Sequence, residues 1–82
     1  MFIGKISITL KESVLDPQGN TVKRALHEMG EEAVDDIRIG KYIEVKLDAN
    51  DKESAKEDID RICKNLLVNP VIESYSVEIV AV

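Results

Sequence analysis

The chain opens with a segment in which apolar and polar positions alternate. One face of this segment carries glycine and the apolar residues, namely Phe2, Gly4, Ile6, Ile8 and Leu10. The other face carries Lys5, Ser7, Thr9 and Lys11. Successive side chains of a strand point to opposite sides of a sheet, so this period of two predicts a half-buried strand over residues 2–11.

A second alternating segment closes the chain after Asn69-Pro70. Proline cannot continue a helix, and it biases the residue before it toward an extended or turn conformation. From that point one face of the predicted last strand holds Val71, Glu73, Tyr75, Val77 and Ile79. A slip of one residue would exchange the two faces, so the Asn-Pro turn is expected to fix the register. Tyr75 should then point to the same side as Val77 and Ile79.

Two segments between these strands show the spacing of amphipathic helices. Asp16 is a predicted N-cap, Pro17 is suited to the first helical position, and Gly30 is suited to the end of the helix. The apolar stripe of this first helix consists of Val22, Ala25, Leu26 and Met29. Gly19 in the first turn indicates either a close backbone approach or a later helix start, at Asn20 or Thr21.

The second helix is predicted to begin where Asn50 and Glu53 resemble a capping box. Its apolar stripe consists of Ala55, Ile59, Ile62, Cys63 and Leu66. The helix should end at Leu66-Leu67, because Pro70 follows three residues later.

The segment between the two helices predicts a hairpin. Val34, Ile37 and Ile39 precede Gly40-Lys41, and alternating residues follow up to Leu47. Two short strands around a Gly-X pair are typical of a type II′-like turn. The whole order then predicts one α+β domain over residues 1–82, a ferredoxin-like βαββαβ two-layer sandwich. In this arrangement two helices cover one face of a four-stranded antiparallel sheet.

Composition narrows the function classes. The net charge of −5, from 16 acidic and 11 basic residues, disfavours a nucleic-acid partner, which needs Lys and Arg against its phosphates. RNA-recognition sheets also need aromatic platforms, and the aromatic residues here are Phe2, Tyr42 and Tyr75. No stretch approaches the ~20 apolar residues of a membrane span, and the start lacks the layout of a signal peptide. With one cysteine, the chain is expected in the reducing cytoplasm.

Few residues offer chemistry. His27 has no Ser, Cys or Asp at a motif spacing and is interpreted as a solvated helix residue. Cys63, on the second apolar stripe, is interpreted as a buried, unreactive thiol. A set of carboxylates could offer oxygens to a divalent cation or dock a basic partner, but it lacks the spacing of a calcium loop, so a solvated surface is favoured. This set is Glu28, Glu31, Glu32, Asp35 and Asp36. No catalytic, cofactor-binding or metal-ligating residue is predicted.

The last strand indicates self-association. Its end is apolar on both faces, with Val77, Ile79, Val80, Ala81 and Val82. In the ferredoxin-like order this strand lies at a sheet edge, where unpaired backbone groups invite another chain. A second copy is the simplest cover, so a homodimer or a dimer of dimers is expected, with Val77 and Ile79 as interface candidates.

Three segments together carry a resemblance to a known family. They are residues 16–26 (DPQGNTVKRAL), residues 38–41 (RIGK) and residues 66–75 (LLVNPVIESY). They resemble the PurS family, the small accessory subunits of phosphoribosylformylglycinamidine synthase. The resemblance implies a non-catalytic subunit that brings a glutaminase subunit and an ATP-dependent synthetase subunit together. The assembled enzyme would convert formylglycinamide ribonucleotide to its amidine in de novo purine biosynthesis.

The resemblance also implies a homodimer, and it places ATP and magnesium on the large subunit rather than on this chain. The motif residues would then be structural or interface positions, namely Asp16, Pro17, Gly19, Thr21, Gly40, Asn69, Pro70, Glu73 and Tyr75. Two other classes stay open at this point. An amino-acid-sensing βαββαβ regulatory module would share the topology and the dimer, and a metal or redox carrier is disfavoured by the single histidine and single cysteine.

Overall fold

The computed structural model describes all 82 residues, which form three strands and two helices. In chain order these are β1 (Phe2–Leu10), α1 (Pro17–Glu28), β2 (Gly40–Leu47), α2 (Lys52–Ile62) and β3 (Glu73–Ala81). α2 continues into one π-helical turn, Cys63–Leu67. The sheet is antiparallel with the order β2-β1-β3, so β1 is central and β3 is an edge strand, as expected. Neither helix is long and apolar enough to cross a membrane.

The sheet has three strands, so the prediction of four strands and of a hairpin before Leu47 is wrong. Residues 34–39 form no strand, and Gly40 begins β2 opposite Thr9 instead of making a turn. The apolar residues of this segment, Val34, Ile37 and Ile39, instead run back alongside α1. Their alternating spacing is compatible with this course as well as with a strand. Position 40 requires glycine because of a close backbone approach and not because of a turn. A Cβ there would lie 2.1 Å from the carbonyl oxygen of Ile8.

The core lies between one face of the sheet and α2. Ile6 and Ile8 of β1 and Ile59 of α2 are almost fully buried, and each is worth ~1.5–3 kcal/mol of burial. Gly4 lets α2 approach closely, because a Cβ there would lie 2.8 Å from the Ile59 side chain.

The predicted face of the last strand is confirmed. Tyr75, Val77 and Ile79 stand opposite Ile8, Ile6 and Gly4 of β1 and face the core. The strand itself begins at Glu73, two residues later than the alternation suggested.

Helix ends follow the sequence signals closely. Asp16 is the N-cap of α1, Pro17 is the first helical residue, and Gly30 follows the helix with a φ of 97°, all as predicted. The N-cap of α2 is Asp51 rather than Asn50. The Asp51 carboxylate accepts the amide hydrogen of Ser54 at 2.8 Å, which leaves Asn50 outside the helix.

The prediction that both helices cover the sheet is wrong for α1. α2 packs on β1 and β3, whereas α1 forms no packed interface with another helix or strand. No apolar side chain between Ile8 and Ile43 packs on the core. Residues 17–39 instead form an arm that projects from the sheet. The chain accordingly measures 51 × 27 × 14 Å, and its radius of gyration is 16.3 Å. A compact domain of this length would have a radius of gyration of about 12 Å.

Candidate assembly surfaces

The base of the arm is held by the buried carboxylate of Asp16, which is 4% exposed. Its Oδ2 accepts the amide hydrogen of Ile39 at 2.7 Å, and its Oδ1 accepts that of Gly19 at 2.9 Å. The hydrogen bonds from Ile39 and then from Gly19 hold the pKa of the Asp16 carboxyl below its ordinary value, with a contribution from the Arg38 charge. Asp16 therefore joins the first turn of α1 to the end of residues 31–39, which run back along the helix and are called the return segment.

Gly19 allows that return segment to pass close to the helix. A Cβ at this position would lie 2.1 Å from the carbonyl oxygen of Ile37. The close-approach alternative is therefore the one found, and the helix begins at Pro17. In the same turn, the Thr21 hydroxyl donates to the carbonyl of Pro17 at 2.9 Å. Asp16, Pro17, Gly19 and Thr21 thus act together in shaping the arm.

Arg38 fixes the arm to the end of β1, and sequence reasoning did not give it this role. Its guanidinium donates to the carbonyls of Lys11 at 2.7 Å and of Leu10 and Val14 at 3.2 Å. Leu10 is the last residue of β1, and Lys11 and Val14 follow it; their carbonyls would otherwise need water. The residue belongs to one of the resemblance segments. No local pattern reveals a partner 24 to 28 positions earlier in the chain.

The return segment follows α1 in the antiparallel sense. The Glu31 amide donates to the carbonyl of Leu26 at 2.9 Å, and the His27 Nε2 lies 2.7 Å from the Val34 carbonyl oxygen. His27 is exposed on the helix, as predicted, and this contact adds a local role. The arm therefore consists of α1 and the return segment, which are hydrogen-bonded to each other.

The arm leaves its apolar face without a partner. Met29 is 76% exposed and Val22 is 40% exposed, and both belong to the predicted stripe of α1. On the sheet, the core-facing side of β2 is only half covered, because α2 packs on β1 and β3. This half-covered strip consists of Ile43, Val45 and Leu47, all of intermediate exposure. One chain thus carries both an exposed apolar helix face and a half-covered strip of sheet.

The turn before β3 is tightly hydrogen-bonded. The Glu73 Oε1 accepts the amide hydrogen of Asn69 at 2.7 Å, and the Asn69 carbonyl accepts the amide hydrogen of Glu73 at 2.8 Å. The Asn69 side chain also accepts from Val71 at 3.1 Å. The Lys41 ammonium lies 3.5 Å from the Glu73 Oε2, so Glu73 also links this turn to the start of β2. Asn69, Pro70 and Glu73 therefore form one rigid unit.

The remaining candidates on β3 lie within the chain's own core. Ile79 is 8% exposed, and Val77 and Tyr75 pack beside it. The Tyr75 hydroxyl donates to the Asp60 carboxylate of α2 at 3.4 Å, so within this chain its partner is a side chain of the packed helix. Burial raises the pKa of Tyr75, and the Asp60 charge raises it further. These residues hold α2 against the last strand.

Reactive groups are isolated from one another. Cys63 is fully buried, as predicted, and burial raises the pKa of its thiol above the ordinary value, with a smaller effect from Asp60. The five carboxylates between Glu28 and Asp36 that could have offered oxygens to a cation are all exposed, and no group of three or more His, Cys, Asp or Glu side chains could hold a metal ion. A cavity of ≈ 450 Å³ at the arm base has Asp16, Lys41 and Glu73 in its wall. Asp16 bonds to amides, and Lys41 and Glu73 pair with each other.

Comparison with known proteins adds a sequence relationship over the whole fold. Residues 4–81 match the family model described as PurS: Phosphoribosylformylglycinamidine (FGAM) synthase. The chain is also similar to the phosphoribosylformylglycinamidine synthase subunit PurS of Synechocystis. The two are 47% identical over 77 residues, which is 94% of this chain and 77% of the relative.

Solved structures show the same fold. Bacillus subtilis PurS superimposes with a TM-score of 0.89 at 43% identity, covering 99% of this chain and 100% of the other. A chain in the structure of PurLQS from Thermotoga maritima superimposes with a TM-score of 0.88 at 38% identity, covering 96% of each chain. The three-stranded sheet and its projecting arm therefore occur in a chain similar to subunits of a larger assembly.

Proposed function

The chain belongs to the PurS family of phosphoribosylformylglycinamidine synthase subunits, and we propose that within this enzyme it brings the glutaminase and ATP-dependent synthetase subunits together without a catalytic site of its own. The observation that carries the proposal is the similarity over nearly the full chain to a chain in the structure of PurLQS from Thermotoga maritima. The complete enzyme would use glutamine and ATP to convert formylglycinamide ribonucleotide to its amidine. ATP and magnesium would bind on the large subunit. The family relationship also favours this function over the amino-acid-sensing alternative.

The contacts of this chain support an assembling role rather than a catalytic one. The buried carboxylate of Asp16 is bonded to backbone amides, and Glu73 is bonded to Asn69 and Lys41. Such groups stabilise the backbone and have no partner that would activate a substrate. The exposed features are apolar instead, on the arm and on β2. Apolar surface of this kind, left open by a small chain, is typical of a subunit of a larger complex.

A homodimer is part of the proposal, and the arm supports it. α1 exposes an apolar stripe, and β2 lacks the helix that would cover its core-facing side. In a symmetric dimer, the apolar face of each arm would cover β2 of the other copy. The same two surfaces would then be buried on both copies.

This mode of pairing replaces the strand-edge contact suggested by sequence. The edges of β2 and β3 are both open. The core-facing side chains of β3, namely Tyr75, Val77 and Ile79, however, are already packed in the chain's own core. On the arm, by contrast, Val22 and Met29 are exposed and have no partner within the chain. We place the complex in the cytoplasm, where a free buried thiol such as Cys63 is common.

Reconstitution tests the proposed function. The two larger subunits are purified separately, and formation of the amidine is measured with glutamine as nitrogen donor, with and without this chain. We expect the glutamine-dependent rate to rise at least tenfold on its addition. The rate with ammonium chloride should change little, because ammonia then needs no delivery between subunits.

Two outcomes would contradict the proposal. One is a glutamine-dependent rate that does not depend on the chain. The other is turnover by the isolated chain that a single substitution abolishes, since it would demonstrate a catalytic site here. Wild-type chain that has been heat-unfolded and separated from aggregates serves as the matched control for the addition.

A further inference from the structure

A second apolar surface lies in the segment that joins α2 to β3. We call residues 66–73 the closing turn. Leu66 is 81% exposed, Val71 is 76% exposed and Ile72 is 38% exposed. Single exposed apolar side chains are ordinary on protein surfaces, but three within eight residues form a feature that an interaction site would explain.

The closing turn is held so that these side chains stay outside. The π-helical turn ends with the Val68 amide donating to the Cys63 carbonyl at 2.9 Å, which places Val68 and Cys63 in the core. π-helical turns are rare and frequent at functional sites. Beyond it, the bonds among Asn69, Val71 and Glu73 fix the remaining backbone. Surface ordered in advance loses less conformational entropy when a partner binds.

The charges beside the closing turn are positive, whereas the net charge of the molecule is negative. Lys11 and Lys64 line a shallow pocket next to Pro70, and neither takes part in either of the two ion pairs of the chain. Glu73 also borders this pocket, but Lys41 compensates its charge. Two free ammonium groups therefore flank the apolar turn of a chain whose net charge is −5.

We propose that the closing turn is the surface that docks a larger subunit of the synthase, with Leu66 and Val71 entering an apolar recess edged by carboxylates. The inference rests on the proposed function and adds the location and chemistry of the contact. The basic flank selects an acidic partner surface. A second copy fits less well, because the surfaces that copies can share are the arm and β2, and neither includes residues 66–73.

Paired substitutions test the docking surface in the full-length protein. Binding to each immobilised larger subunit is measured for Leu66→Ala with Val71→Ala, and separately for Lys11→Glu with Lys64→Glu. Loss of two central anchors should weaken binding to one of the subunits at least ~10-fold. Reversal of the two charges should weaken the same binding by a similar factor at ~50 mM salt and by much less at ~500 mM, where screening is strong.

Matched controls lie far from the closing turn. Val82→Ala removes another exposed apolar side chain at the opposite end of the sheet, where the Val82 amide donates to the Met1 carbonyl. Lys52→Glu with Lys56→Glu makes the same charge change on the exposed side of α2. Both controls should bind within twofold of the wild type.

The outcomes separate the two proposals. Unchanged binding of the Leu66/Val71 variant, while the wild type binds, would overturn the docking surface and leave the proposed function intact. A wild-type chain that binds neither subunit would overturn the proposed function itself. A Leu66/Val71 variant that keeps its thermal unfolding but sediments as a smaller species than the wild type would assign the closing turn to contact between copies, which also overturns the inference.

Discussion

The carboxylate of Asp16 accepts the amide hydrogen of Ile39, 23 residues further along the chain, at 2.7 Å. The same carboxylate caps α1 through Gly19. One side chain thus bonds both to the beginning of the arm, at Gly19, and to its last residue, Ile39. Asp51 is a useful comparison, because it caps α2 through Ser54 alone and makes no long-range bond.

Replacing Asp16 should therefore cost more than replacing Asp51. In Asp16→Ala the partly buried amide of Ile39 loses its partner in addition to the loss of a helix cap, whereas Asp51→Ala loses only the cap. We expect urea unfolding to show a lower midpoint for both variants, with the larger decrease for Asp16→Ala. Equal decreases would mean that the bond to Ile39 adds nothing to stability.

The two aspartates also predict how stability depends on pH. Hydrogen bonds to backbone amides lower the pKa of both carboxyls below the ordinary value of 3.8. A group with a depressed pKa in the folded state stabilises the fold above its unfolded pKa, and this contribution disappears as the pH falls through the folded pKa. Stability should thus decline from about pH 4 downward. Asp16→Asn should decline less steeply over that range, and identical slopes for the variant and the wild type would contradict the assignment.

The arm should hold two copies together through its apolar face. Val22→Asp with Met29→Asp places two charges on that face, and burying unpaired charges is strongly unfavourable. We expect sedimentation velocity to show a dimeric wild type and a monomeric variant at micromolar concentration. Arg24→Asp, on the other side of α1, is the control and should stay dimeric. A variant that sediments like the wild type would exclude the arm from the interface.

Tyr75 should stabilise the contact between β3 and α2 mainly through its ring. Tyr75→Ala leaves a cavity beside Val77 and Ile79 and should lower the free energy of unfolding by about 2–4 kcal/mol. Tyr75→Phe removes only the long bond to Asp60 and should cost less than about 1 kcal/mol. Denaturant unfolding measures both, with Lys52→Ala as a neutral surface control. A Tyr75→Phe loss as large as that of Tyr75→Ala would make the hydroxyl the dominant contribution.

Local sequence signals determined several parts of this protein. The alternation of residues 2–11 and of the last strand predicted which side chains face the core, because a strand has only two faces and one of them must be apolar. Asp16-Pro17 and Gly30 predicted both ends of α1, since caps act within a few residues. The buried state of Cys63 followed from its place on an apolar stripe. The resemblance carried by residues 16–26, 38–41 and 66–75 identified the family.

Only the tertiary structure decided where α1 goes. An amphipathic stripe indicates that a helix needs an apolar partner. It does not indicate whether that partner is the sheet of the same chain. Here Arg38 ties the arm to the end of β1, Asp16 joins the two chain ends of the arm, and α1 projects from the sheet with its stripe open. For the same reason Val34, Ile37 and Ile39 follow α1 instead of forming a fourth strand, although their spacing suits either structure. Bonds that span more than 20 residues leave no local pattern, and they determine which of two compatible structures the chain adopts.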